Sequence, residues 1–177
     1  MNISRRDLFS KSFMAVGCST VGTFASSPVK AEAMKEKETK RFFKLYPVGR
    51  VERQGKLVQL HIFDEFRDAL KGLDSFSHAF VLYWFHKNDT PKKRNILQVY
   101  PRGNKKNPLT GVFACRAPVR PNLIALSLCK ILSVKNGIVR IDKIDALNES
   151  PVLDIKPYIP RIDSIAKGAW IPDWLKG

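Results

Sequence analysis

The side chains best suited to chemistry in this 177-residue chain fall into four stretches. The first is basic: between Lys87 and Lys106, the cations Lys87, Lys92, Lys93, Arg94, Arg102, Lys105 and Lys106 face only Asp89. A run of one sign attracts phosphates without reading sequence, through counterion release; a plain solvated loop pair has the same composition. The second stretch, Gly111 to Asn122, reads as a strand entering a loop in which Pro118 and Pro121 fix φ. Arg116 and Arg120 therefore project from a stiff frame, and a planar guanidinium so held suits a carboxylate or a phosphate. In the third, the aromatic run Phe80 to Phe85 ends in His86, which is either a satisfied histidine at a strand end or a group that handles a proton. The fourth runs from Asp145 to Tyr158, where Asp154 and Lys156 alternate onto one strand face and predict an ion pair.

Several familiar chemistries lack their residues. His61, His78 and His86 have no metal-ligand spacing, and no metal site is expected. There is no Gly-x-Ser-x-Gly elbow, no Gly-x-Gly-x-x-Gly after a strand and no phosphate-binding Gly-x-x-x-x-Gly-Lys-Ser/Thr loop. Serine acyl transfer, a Rossmann dinucleotide site and a P-loop are thereby disfavoured. Cys115 and Cys129 show no Cys-x-x-Cys pattern, which leaves two readings: two buried free thiols, or one disulfide in an oxidising compartment.

The elements that must position these residues are mostly strands. Apolar runs punctuated by turn residues are expected to form strands at 43–51, 57–62, 76–85, 96–100, 112–115, 124–134, 138–141 and 152–155. So many short strands in one domain predict a barrel or a sandwich. Asn136-Gly137 has the residues of a tight hairpin turn joining the strands around it. One segment, Asp64 to Leu70, reads as a helix, with Asp64 as its cap, Phe66, Ala69, Leu70 and Leu73 on one face, and Gly72 as its stop. Overall, 31 Lys and Arg against 16 Asp and Glu give a formal charge of +15, so an anionic partner is expected.

Residues 1–33 carry a basic start with Arg5-Arg6, an uncharged stretch from Ser12 to Val29 and the small-residue triplet Ala31-Glu32-Ala33. This is the pattern of a signal peptide, and the paired arginines resemble a twin-arginine export signal. Cleavage after Ala33 would remove Cys18 and leave most of the positive charge on the domain. Residues 34–41 then read as a charged, flexible leader, and residues 42–177 as the domain.

Taken in order, Gly72-Leu73-Asp74-Ser75-Phe76-Ser77-His78 through Tyr83-Trp84-Phe85-His86, then Gly111-Val112-Phe113-Ala114-Cys115-Arg116-Ala117-Pro118, Arg120-Pro121-Asn122, Asp145-Ala146-Leu147 and Pro151-Val152-Leu153-Asp154-Ile155-Lys156-Pro157-Tyr158 resemble the TrmO family, tRNA methyltransferases with a TsaA-like domain. The resemblance covers about Tyr46 to Pro160. It implies a mostly-β fold: a single-sheet antiparallel β-barrel with one or two short helices, usually dimeric. It also implies binding of S-adenosylmethionine and methylation of the 6-amino group of a threonylcarbamoyl-modified adenine in the tRNA anticodon loop. By position, His86 and Lys87 would border the methyl donor and Arg116 would face its carboxylate. Leu126 and the turn Asp145, Ala146, Leu147 and Asn148 would complete the pocket. Arg120 and Asn122, with Lys92, Lys93, Arg94, Arg102, Lys105 and Lys106, would hold the RNA backbone.

The chain also departs from the family pattern. The usual run like Pro-Arg-Gln-Pro-Gly near the start is missing, because Val51 to Lys56 passes almost directly from one strand to the next. Arg120-Pro121-Asn122 continues as Leu123-Ile124-Ala125 instead of Pro-Ile-Gly, and Cys115 stands where Thr is usual. Together with the leader, these departures define a second reading: an exported, non-catalytic barrel that binds an anionic small molecule or partner.

Overall fold

The computed structural model of the chain describes residues 43–165 and 168–176; residues 1–33, read as a leader, the expected cleavage site and Cys18 lie outside them. Six antiparallel strands close into a barrel in the order β1-β2-β7-β6-β3-β8, with β8 pairing back onto β1. They are β1 (Gly49–Gln54), β2 (Leu57–Ile62), β3 (His78–Trp84), β6 (Ile124–Lys135), β7 (Ile138–Ile141) and β8 (Pro151–Pro157). The short strands β4 (Gln98–Val99) and β5 (Thr110–Gly111) pair with each other as a separate ribbon. A barrel of six strands is too narrow to leave a lumen. Side chains fill it: Val51, Leu60, Val81, Val139, Cys129 and Val152 are all at most 1% exposed.

Alternation explains why these runs become strands. β3 buries every second residue, Ala79, Val81 and Tyr83, while His78, Phe80, Leu82 and Trp84 stay half-exposed on the other face. The hairpin joining β6 to β7 turns on Asn136 and Gly137, with φ of 52° and 76°. Both central residues of such a turn need positive φ, which is what Asn-Gly supplies. At Gly49 a side chain would run into the His61 carbonyl oxygen of β2, so glycine is the residue that lets β1 enter between β2 and β8.

Several expected elements come out differently. Asp64–Leu70 is a run of 3₁₀ turns, and Asp64 does not cap it: the cap position is Phe63, with no side-chain hydrogen bond. Phe66 and Leu70 still pack against the core, and Gly72 takes the left-handed conformation at φ 83°. Residues 112–115 are no strand. Val112–Ala114 form a single 3₁₀ turn, with Val112 buried and Phe113 pointing out, because a run with only one buried side chain has no second layer to pair with. The first strand begins at Gly49, just after Pro47, which offers no ladder donor, and leaves Phe43, Leu45 and Tyr46 exposed ahead of it. Two helices of four residues each, Pro91–Arg94 and Pro160–Asp163, complete the described chain. Among the described residues no helix is long and apolar enough to cross a membrane.

Candidate functional site

At one end of the barrel, four pieces of chain meet. β3 delivers Tyr83 and runs on through Phe85 into a 3₁₀ turn at His86–Asn88. A register shift between Leu82 and Tyr83, where β3 meets β8, lies at this end, and such shifts commonly re-aim side chains beside sites. The loop between β7 and β8 supplies residues 144–150, the end of β1 supplies Arg53, and the proline-stiffened loop supplies Arg116 and Pro118. Together they enclose a cavity of about 560 Å³.

The 144–150 loop is held from beneath. Arg53 donates through Nε to the Ala146 carbonyl at 2.7 Å and through Nη2 to the Ile144 carbonyl. Its backbone N–H donates to Asn148 Oδ1 at 2.8 Å. The buried Tyr83 hydroxyl donates to the Asp145 carbonyl, and its desolvation raises the phenol pKa. Tyr83 and Phe85 pack edge to face at 5.7 Å, forming an aromatic wall. His86 Nδ1 lies 3.3 Å from the buried Ser150 hydroxyl, which fixes the orientation of the ring.

The cavity thus brings together His86, Lys87, Arg116, Asp145, Ala146, Leu147 and Asn148. Chemically it offers the cations Lys87 and Arg116, one carboxylate at Asp145, an amide at Asn148 and the aromatic wall. That set matches a ligand carrying both charges and a flat apolar part: a carboxylate for Arg116, an amine for Asp145. Leu126 is not among the lining residues. It is 44% exposed on the outer face of β6, because β6 turns Ala125 inward and Leu126 is one residue on.

The expected RNA-facing cations divide into two groups. Lys92, Arg102, Lys105, Lys106 and Asn122 are exposed. Arg120 is instead folded inward, with Nε donating to the Ala117 carbonyl at 3.1 Å and Nη2 to the carbonyls of Val112 and Cys115 at 2.7 Å each. It is a staple for the loop that carries Arg116. Arg94 is committed as well: it pairs with Asp89 at 2.7 Å, donates to the Pro121 carbonyl and lies over the Trp84 ring at 5.5 Å. Lys93 donates to Asn88 Oδ1 at 2.7 Å and so braces the turn that presents His86 and Lys87. A run of cations in the sequence does not reveal which of its members find acceptors within the fold.

Arg53, Tyr83 and Ser150 are site residues that the sequence reading missed. Cys115 and Cys129 are both free, so there is no disulfide between them; Cys129 is buried as expected, whereas Cys115 is only partly buried. Asp154 and Lys156 do make the expected ion pair, at 2.6 Å. Among the described residues no cluster of side chains is arranged to hold a metal.

Residues 46–164 match the family of the tRNA-methyltransferase O N-terminal domain. A probable S-adenosyl-L-methionine-binding protein of Methanocaldococcus jannaschii is 49% identical over 119 residues, which span 67% of this chain and 94% of the relative. The tRNA (adenine(37)-N6)-methyltransferase of Homo sapiens is 42% identical over 107 residues, 60% of this chain but 24% of that protein. The crystal structure of TrmO from Pseudomonas aeruginosa superposes with a TM-score of 0.56 at 27% identity, over 73% of this chain and 62% of the solved one. This chain therefore spans about three-fifths of that structure and a quarter of the human enzyme.

Proposed function

The chain belongs to the family of the tRNA-methyltransferase O N-terminal domain, and from that membership we propose that it is an S-adenosylmethionine-dependent methyltransferase of TrmO type, acting on the 6-amino group of a modified adenine in tRNA. The observation that carries the reading is the single cavity onto which His86, Lys87, Arg116 and the turn Asp145 to Asn148 converge. Its donor set fits S-adenosylmethionine. Arg116 suits the carboxylate, Asp145 the amine, and the Tyr83 and Phe85 rings lie beside a cavity wide enough for a flat base and a sulfonium. When bound, the cofactor supplies a methyl group on a cationic sulfur. The exocyclic amine of adenine is a weak nucleophile, so the share left to this chain is positioning and electrostatics. Arg53, Ser150 and Tyr83 supply the positioning by fixing the turn and the His86 ring.

Transfer of a labelled methyl group from S-adenosylmethionine to tRNA by the full chain tests this. Incorporation into the 6-amino group of adenine is expected; binding of the donor without transfer to any tRNA would overturn it.

Leu126, Leu128 and Leu132 leave an apolar stripe on the outer face of β6, at 44%, 44% and 56% exposed. The stripe supports a homodimer that covers it. Light scattering of the full chain and of Leu128→Lys, expected as dimer and monomer, checks this reading. The leader read in residues 1–33 supports export, and methyl transfer to tRNA by the same chain then belongs to the time before export or to chains whose leader is not used. Fractionation of cells expressing a C-terminally tagged full chain tests export: a processed product outside the cytoplasm is expected, and an unprocessed product retained with the cytoplasm would overturn it.

A further inference from the structure

Next to the donor cavity lies a second and larger one, of about 1030 Å³, and the two share Arg116, Pro118 and Asp145 as a common rim. We propose that this second cavity binds a nucleotide, with the base against Phe113 and Trp174 and the phosphate at Arg102 and Lys105. The proposal rests on the methyl-transfer reading for its role, as the acceptor pocket, and on the cavity's own residues for its ligand.

Three observations carry it. First, the position suits transfer, because the two cavities adjoin: Arg116, Pro118 and Asp145 line both. Second, the walls present aromatic surface that the core does not use. Phe113 is 83% exposed and Tyr100 41% exposed, yet both line the cavity, with Trp174 from the C-terminal 3₁₀ turn Asp173–Leu175. Phe113 is kept there by the Arg120 staple, which grips the carbonyls of Val112 and Cys115 on either side. Exposed aromatic side chains in a basic setting are the usual stacking platforms for nucleobases. Third, Arg102 and Lys105 line the cavity and form no ion pair among the described residues, unlike Arg94 with Asp89. Arg102 is moreover held at φ 58°, a conformation that costs a non-glycine residue energy and is often kept where it serves a site. With Asp145 the lining's one carboxylate, and that at the shared rim, the far part of the cavity favours an anion.

Calorimetric titration of the full chain with adenosine 5′-monophosphate tests the assignment, with adenosine as the uncharged control and S-adenosylmethionine titrated in parallel. Saturable binding of the nucleotide is expected, with donor and nucleotide binding together. Phe113→Ala and Trp174→Ala should each weaken the nucleotide roughly tenfold or more, the loss of one stacking surface, while leaving donor affinity unchanged. The pair Arg102→Ala with Lys105→Ala should weaken the nucleotide and leave adenosine alone. Absence of nucleotide binding, displacement of the nucleotide by the donor, or indifference to Phe113 and Trp174 would overturn the pocket even if the donor binds. Nucleotide binding that follows these variants in a chain that does not bind the donor would leave the pocket standing and sink the methyl-transfer reading instead.

Discussion

Arg53 offers the sharpest perturbation of the donor site, because its side chain touches the turn that forms the cavity floor through two bonds that alanine removes. Arg53→Ala abolishes the donation to the Ala146 and Ile144 carbonyls and keeps the backbone N–H to Asn148 Oδ1. A hydrogen bond from a charged donor contributes about 1.5–3 kcal/mol when buried. Arg53 is itself exposed along part of its length, which screens its charge, so the two bonds together are worth about 1–2 kcal/mol to the order of the turn. If donor binding requires the ordered turn, affinity falls by the same free energy, on the order of tenfold. Lysine lacks the fork that reaches both carbonyls, so Arg53→Lys should recover only part of the loss. Calorimetric titration with S-adenosylmethionine reads the affinity. Amide hydrogen exchange at residues 144–148 reads the turn itself and should accelerate about as much as affinity drops. Donor affinity within twofold of the unaltered chain, or unchanged exchange in the turn, would refute the claim that Arg53 builds the site from below.

Three other expectations follow from the barrel. Gly49→Ala drives a methyl group into the His61 carbonyl of the neighbouring strand and should cost about 1–3 kcal/mol, seen as a lowered denaturation midpoint; an unchanged midpoint would contradict the close approach of β1 and β2. Burial pushes the Cys129 thiol from the 9.0 of an exposed thiol to about 12. In a Cys18→Ser chain, iodoacetamide should therefore label Cys115 and spare Cys129 until unfolding. Between pH 9.0 and about 12 only the unfolded chain ionises at Cys129, so stability should decline over that range. Glu52 has its carboxyl held below the usual value, first by the hydrogen bond from Gln59 and then by Arg50, against an opposing desolvation. Its contribution is present above the unfolded value of 4.5 and is lost as pH falls through the folded one. Acid unfolding of Glu52→Gln should show a shallower pH slope below 4.5 than the unaltered chain.

The parts of the fold legible in the sequence are those set by local chemistry. The strands at Leu57–Ile62 and Ile138–Ile141 fall where alternation and turn residues place them, and Asn136-Gly137 fixes the hairpin between β6 and β7 by its own backbone preferences. What stayed hidden is what the closing of the barrel decides. Arg53 and Asn148 stand 95 positions apart, Tyr83 and Asp145 62, and His86 and Ser150 64, so no local pattern links them. The charge of Arg94 and Arg120 is plain in the sequence, but whether a guanidinium meets solvent or acceptors inside the fold depends on a loop whose path the prolines constrain without specifying. The misread strand at 112–115 has the same origin, since Val112 alone is drawn inward and Arg120 holds the rest as a turn.

The central claim is that the cavity under Arg116 holds the methyl donor. Titration of the full chain with S-adenosylmethionine, repeated for Arg116→Ala, tests it most directly. Saturable binding is expected, weakened at least about tenfold in the variant by the loss of a charge-assisted bond to a carboxylate. Equal affinity in the two proteins, or none in the unaltered chain, would contradict it.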